Sequence, residues 1–240
     1  MNKVIIIAIS IATFTTTLQA QTLKDLMNKT VEKTGGVGGL TSDEVGKGLK
    51  EALSVGVKKG AEQLSNLDGF LGNPAVKILM PPEAIKAEEK LRALGFGKQV
   101  DEAIVSMNRA AEDAAKSAAP IFVDAIKGMS ITDAFGILKG GNSAATTYLK
   151  SKTTPPLTAA FAPVIDSSLE KVGASQIWAA LFDRYNKIPF IKKVNPDLKG
   201  YVTDRALSGM FYQVAQEEAK IRNNPAAQTT DLLKKVFGSK

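Results

Sequence analysis

The stretch MNRAAEDAAKSAAPIFVDAI, Met107 to Ile126, holds a dense set of side chains able to do chemistry. Asn108, Arg109, Glu112 and Asp113 sit among alanines, and Asp124 follows Pro120. Carboxylates beside a guanidinium could bind a polar ligand or move its protons. The same residues also make ordinary braces. On a helix Arg109 meets Glu112 at i+3 and Asp113 at i+4, pairs that contribute about 0.2–0.5 kcal/mol each. The chain is lysine-rich and uses arginine sparingly, at 92, 109, 184, 205 and 222. A planar, forked donor used this rarely suggests a fixed partner such as a carboxylate. The expected partner of Arg109 is Asp124 or Glu218, across to a neighbouring helix. The candidate ligand-binding set is Arg109, Glu112, Asp124 and Arg222, with Trp178 and Phe211 as apolar members.

Much other chemistry is excluded. The chain has no histidine and no cysteine. Ser-His-Asp triads, Cys-His dyads and imidazole or thiolate metal sites are therefore impossible. No EF-hand loop, Walker A motif or dinucleotide fingerprint occurs. Ser168-Leu169-Glu170-Lys171 matches S-x-x-K and Lys33-Thr34-Gly35 matches K-T-G. In penicillin-recognising enzymes the two stand in the opposite order and the K-T-G lies on a strand, so here they read as coincidence. Asp101, Glu102, Asp133, Glu217 and Glu218 show no metal-ligand spacing. Asp133, one residue after a helix cap at Thr132, and Asp231, after Thr230, suit helix N-termini. No cofactor and no metal is expected, and no catalytic residue is assigned.

The elements that position these residues are helices. Apolar residues recur at helical spacing almost throughout, and no strand alternation lasts beyond four or five residues. Thr41 and Glu44 make a capping box. Behind it Val45, Leu49, Leu53, Val57, Ala61 and Leu64 share one face, and Gly46, Gly48, Gly56 and Gly60 permit close approach of a neighbour. Residues 66–82 (NLDGFLGNPAVKILMPP) are the least helical, with Asp68-Gly69 and Asn73-Pro74 as turns and Val76–Met80 extended. Further helices are expected over 84–94, 99–118, 120–129, 132–138, 143–152, from Pro155 or Pro156 to Val172, 175–185, 197–221 behind Asp197, and 231–237. The fold class is all-α, an irregular bundle of about ten helices without a sheet.

Met1-Asn2-Lys3 followed by the apolar run Val4–Phe14 and a small residue at Ala20 reads as a secretory leader, cut between Ala20 and Gln21. The run is too short to span a bilayer, and no cysteine stands at the cut to carry a lipid. Residues 21–40 form a flexible segment, and 41–240 a single helical domain. The expected location is the periplasm or the medium. Net charge is +7, of which Lys3 lies in the leader. Lysines are scattered and aromatics few, which excludes a nucleic-acid platform but suits anionic partners such as lipid head groups.

The segments LKEAL (49–53), DGFLGNPAVKI (68–78), LRALGFGKQVDE (91–102), MNRAAEDAA (107–115), PIFVDAI (120–126), ITDAFGILKGG (131–141), AATTYL (144–149), YVTDRALSGMF (201–211), EEAKIRNNP and TTDLLKKVFG (217–238) occur in this order. Together they resemble the bacterial secreted family called domain of unknown function 4197, from about Gly39 to Gly238. The resemblance implies an exported helical protein. It implies no activity and carries over no site residue. Relatives often place a basic residue before the TTDLL segment. Here Gln228 holds that place, which removes any anion site the position would imply.

Three functions follow as expectations. The first is a non-enzymatic exported protein that binds a lipid, a small apolar ligand or an envelope protein. The second is a hydrolase or lyase using carboxylates with Arg109, Asp124 or Arg222. The third is an envelope adaptor acting through residues 66–82.

Overall fold

In a computed structural model the structure describes residues 41–187, 190–191, 193–194, 197–224 and 234, with backbone only at 180, 181 and 184. The expected leader, its cut at Ala20 and Gln21, the flexible 21–40 segment and, apart from helical Lys234, the last helix at 231–237 lie outside the described residues.

Thr41 opens the first helix as its sequence demands. Its hydroxyl accepts the Glu44 N–H at 3.3 Å, and Glu44 Oε2 accepts the Thr41 N–H at 2.8 Å. The helices are α1 (Ser42–Ser65), α2 (Ile85–Ala93, entered through a 3-10 turn at Pro82–Ala84), α3 (Gly97–Ala115), α4 (Ala118–Lys127), α5 (Ile131–Lys139), α6 (Ala144–Lys171), α7 (Ala174–Tyr185) and α8 (Leu198–Asn223). The described residues contain no strand and form eight α-helices, so the architecture is all-α. None of these helices is long and apolar enough to cross a membrane.

The long helices α6 and α8 pack together at the centre. α3 lies on both, α1 covers α8, and α4 and α5 fill the space between α1 and α6. Val45, Leu49, Leu53, Val57, Ala61 and Leu64 of α1 are all buried. Its glycines let α8 approach. A Cβ at Gly56 would lie 3.2 Å from Ile221 Cδ1, and one at Gly60 would lie 3.3 Å from Gln213 Cγ.

Two sequence expectations are corrected. The helices expected over 143–152 and from Pro155 to Val172 are one helix, α6, which runs through Pro155, Pro156 and Pro163. All three prolines are exposed, as are Ser151, Lys152 and Ala159, whose carbonyls lose their i+4 donors. Those positions are open to solvent, so the missing bonds do not end the helix. The buried residues of α6 fall at every fourth position: Ala145, Leu149, Thr153, Leu157, Phe161, Ile165 and Leu169. On a helix of 3.6 residues per turn such a stripe drifts about 40° per step. It therefore winds around α6, which touches α3, α4, α5, α7 and α8 along its length. In the second correction, Ser130, not Thr132, caps the helix carrying Asp133. The Ser130 hydroxyl accepts the Asp133 N–H at 3.1 Å, and Asp133 Oδ2 accepts the Ser130 N–H at 3.0 Å.

Candidate functional site

The side chains of MNRAAEDAA reach out of α3 to one piece of backbone, the non-helical run 66–81. Buried Glu112 accepts the N–H groups of Phe70 and Leu71 with Oε1, both at 3.1 Å. Its Oε2 receives Arg109 Nη1 at 2.6 Å. The other arm of Arg109, Nη2, bonds Asp68 Oδ1 at 2.7 Å. These bonds, to Glu112 first and Asp68 second, raise the pKa of Arg109 above its ordinary value. One turn back, Asn108 Oδ1 accepts the Ile78 N–H and its Nδ2 donates to the Ile78 carbonyl, each at 2.8 Å. From α8 the Tyr201 hydroxyl donates to the Leu79 carbonyl at 2.7 Å. Burial raises the pKa of that hydroxyl, so it stays a donor.

Between these fixings Phe70 is fully buried against Gly209 of α8, where a Cβ would stand 2.6 Å from its ring. Turn bonds within the run satisfy part of its backbone, and the buried N–H groups of Phe70 and Ile78 take their partners from α3. Arg109 therefore pairs with Asp68 and Glu112, and not with the expected Asp124 or Glu218. Asp124 stands on the surface, 3.3 Å from Lys127. Asp68, at φ 65°, reads in sequence as a turn residue only, which hides its role as an ion-pair partner.

Glu218 does different work at the start of α6. It accepts the N–H of Ala145 at 3.0 Å, and the N–H and hydroxyl of Thr146 at 2.8 Å each. Those are orphan donors of a helix N-terminus, where a negative charge is favoured. Buried Arg222 completes the group, with Nη2 at 2.8 Å from Glu218 Oε1 and at 2.8 Å from the Ile137 carbonyl. Its Nη1 is buried with no hydrogen-bond partner among the described residues.

The apolar candidates are core. Trp178 and Phe182 pack with ring centroids 4.4 Å apart, and Phe211 meets Phe122 edge-on at 5.8 Å. A void of about 10 Å³ at the α1–α8 seam, beside Gly56, Val214 and Ile221, has room for a single water at most. An open groove of about 510 Å³ runs between α3 and α6, lined by Asp113, Lys116, Ser168 and Lys171 among others. The Ser168 hydroxyl lies 3.4 Å from Asp113 Oδ2, and Lys116 pairs with Oδ1 of the same carboxylate at 2.7 Å. Ser168 sits inside α6, where the neighbouring N–H groups are held in helix bonds and cannot stabilise an oxyanion.

The six sequence candidates thus fall in four places. Arg109 and Glu112 hold the 66–81 run, and Arg222 is joined to Glu218. Trp178 and Phe211 are packed in the core, and Asp124 is on the surface. No hydrogen bond or ion pair joins Arg109, Asp124 or Arg222 to another of the three. Among the described residues no group of acids could hold a metal ion.

No curated protein matches the chain. No solved structure matches it either. The profile of DUF4197, a protein family of unknown function, matches residues 39–238, and the chain belongs to that family.

Proposed function

We propose that this is an exported, non-enzymatic helical protein that binds an envelope protein through the braced run 66–81. One observation carries the reading. Buried Glu112 and Asn108 of α3 and half-buried Tyr201 of α8 fix the backbone of this run at Phe70, Leu71, Ile78 and Leu79, while Leu67 and Leu79 point to solvent, 76% and 54% exposed. Single exposed leucines are common on any surface. Two on a rigid irregular segment make a preorganised epitope, because little backbone entropy remains to be lost on binding. The next turn, between α2 and α3, adds exposed Leu94 and Phe96. The basic start, short apolar run and Ala20 support export.

The test is cross-linking in the intact envelope with wild type and the double variant L67D/L79D. One partner lost from the variant, at an unchanged thermal midpoint, supports the reading. The same cross-links from both chains, or a stoichiometric small molecule in the native mass of the purified protein, overturns it.

A further inference from the structure

We propose that the face formed by α5 and the first half of α6 docks on an anionic phospholipid surface. Several lysines elsewhere lie against carboxylates. Lys47, Lys116, Lys127, Lys199 and Lys220 each have one at 2.6–3.3 Å. Lys139, Lys150 and Lys152 have none within ion-pair reach among the described residues. They lie instead over the rings of Phe135, Phe211 and Tyr148, at 5.8, 5.9 and 5.7 Å from the centroids.

The reason lies in the sequence: residues 134–165 contain these three lysines and no carboxylate. Asp133, just before, caps α5 through Ser130 and keeps its negative charge, so three cations stand against this one anion. Where α1 packs on Ile131 through Gly46, its acids Asp43 and Glu44 are engaged by Lys47 and Thr41. The face is therefore locally cationic.

Its shape and apolar content select the occupant. Lys150 and Lys152 flank the outward ridge of α6, about 100° to either side of exposed Ser151. Phe135 and Tyr148 are half-buried and Ile131 is 50% exposed. The cations are spread along two helices, not gathered around one point, so they suit an extended anionic surface better than a single anion. Rings and an isoleucine at the level of lysine stems are what a headgroup boundary takes up, with the ammonium groups reaching the phosphates. This inference is independent of the loop's partner.

The chain purified from its own cells is sedimented with vesicles of phosphatidylcholine and with equimolar phosphatidylcholine and phosphatidylglycerol, at low and high salt. The expected result is binding to the anionic vesicles alone, weakened by salt. Each interfacial lysine contributes about fivefold, so K139Q/K150Q/K152Q should lose on the order of a hundredfold. The matched control K86Q/K90Q/K98Q should bind as wild type, and thermal midpoints report that both fold. Equal loss in both triple variants would assign binding to diffuse charge and overturn the proposal. So would equal binding to neutral vesicles or binding to none. Retention on poly-glutamate without vesicle binding would assign the face to an acidic protein instead.

Discussion

Asn108 holds Ile78 as a neighbouring strand would, accepting its N–H and donating to its carbonyl, each at 2.8 Å. Asn186 does the same for Val194, again at 2.8 Å in both directions. A carboxamide is the one side chain that offers a donor and an acceptor in the geometry of a peptide group. Both sites fasten backbone that has no helix or sheet of its own to bond to.

Replacing Asn108 by alanine should cost about 3 kcal/mol, because it strands both polar groups of buried Ile78. N108D should also destabilise, since it keeps the acceptor and removes the donor. Urea unfolding measures both. A loss under about 1 kcal/mol would show that water enters and replaces the carboxamide.

Two helical glycines should respond with opposite signs when changed to alanine. Each substitution gains about 1 kcal/mol of helix propensity. At Gly56 the new methyl meets the flexible end of Ile221 at 3.2 Å and Glu217 Cβ at an ordinary 3.5 Å, beside the small seam void, so G56A should stabilise. At Gly209 it meets the buried Phe70 ring at 2.6 Å, so G209A should destabilise by about 2 kcal/mol net. F70L should recover part of that loss in a double-mutant cycle. Thermal midpoints of the four variants decide.

E218A should cost about 3–5 kcal/mol, since it leaves buried Arg222 unpaired and opens the N-terminus of α6. R222A should cost at least about 1 kcal/mol less, because three donors still hold Glu218. Equilibrium unfolding of the two variants gives the order. The reverse order would mean that the guanidinium, not the helix cap, organises this corner.

Asp133 carries a pH dependence of known sign. The Ser130 hydroxyl first, and its backbone N–H second, hold the Asp133 carboxyl below the usual carboxylate range. A carboxyl depressed in the folded state stabilises fully above its unfolded value of about 3.9. That contribution disappears as pH falls through the folded value. The difference in stability between wild type and D133N should therefore shrink on acidification below that point. An NMR titration should place the Asp133 carboxyl below exposed aspartates and move it up in S130A.

Legibility followed the range of each interaction. The helical class, the Thr41–Glu44 box and the inward face of α1 were readable because they depend on neighbours within one turn or a fixed period. The Asn108, Arg109 and Glu112 cluster stood out by residue type, but its partners did not. Asp68 is 41 residues from Arg109, in a turn whose sequence describes only the turn. α6 was read as two helices because proline usually ends one. Its inward stripe at every fourth residue drifts, so no single face marks the helix as continuous.

The sequence alone determined that this chain would be helical, cysteine-free and without imidazole chemistry, since composition and periodicity act locally. Only the tertiary structure decided what the charged residues do. A carboxylate facing a guanidinium has the same spacing in an active site and in a brace. The difference is whether its remaining lone pairs face a substrate or a backbone. For Glu112 they face Phe70 and Leu71, and for Glu218 they face the first turn of α6. Those partners come from distant parts of the chain, and folding alone brings them together.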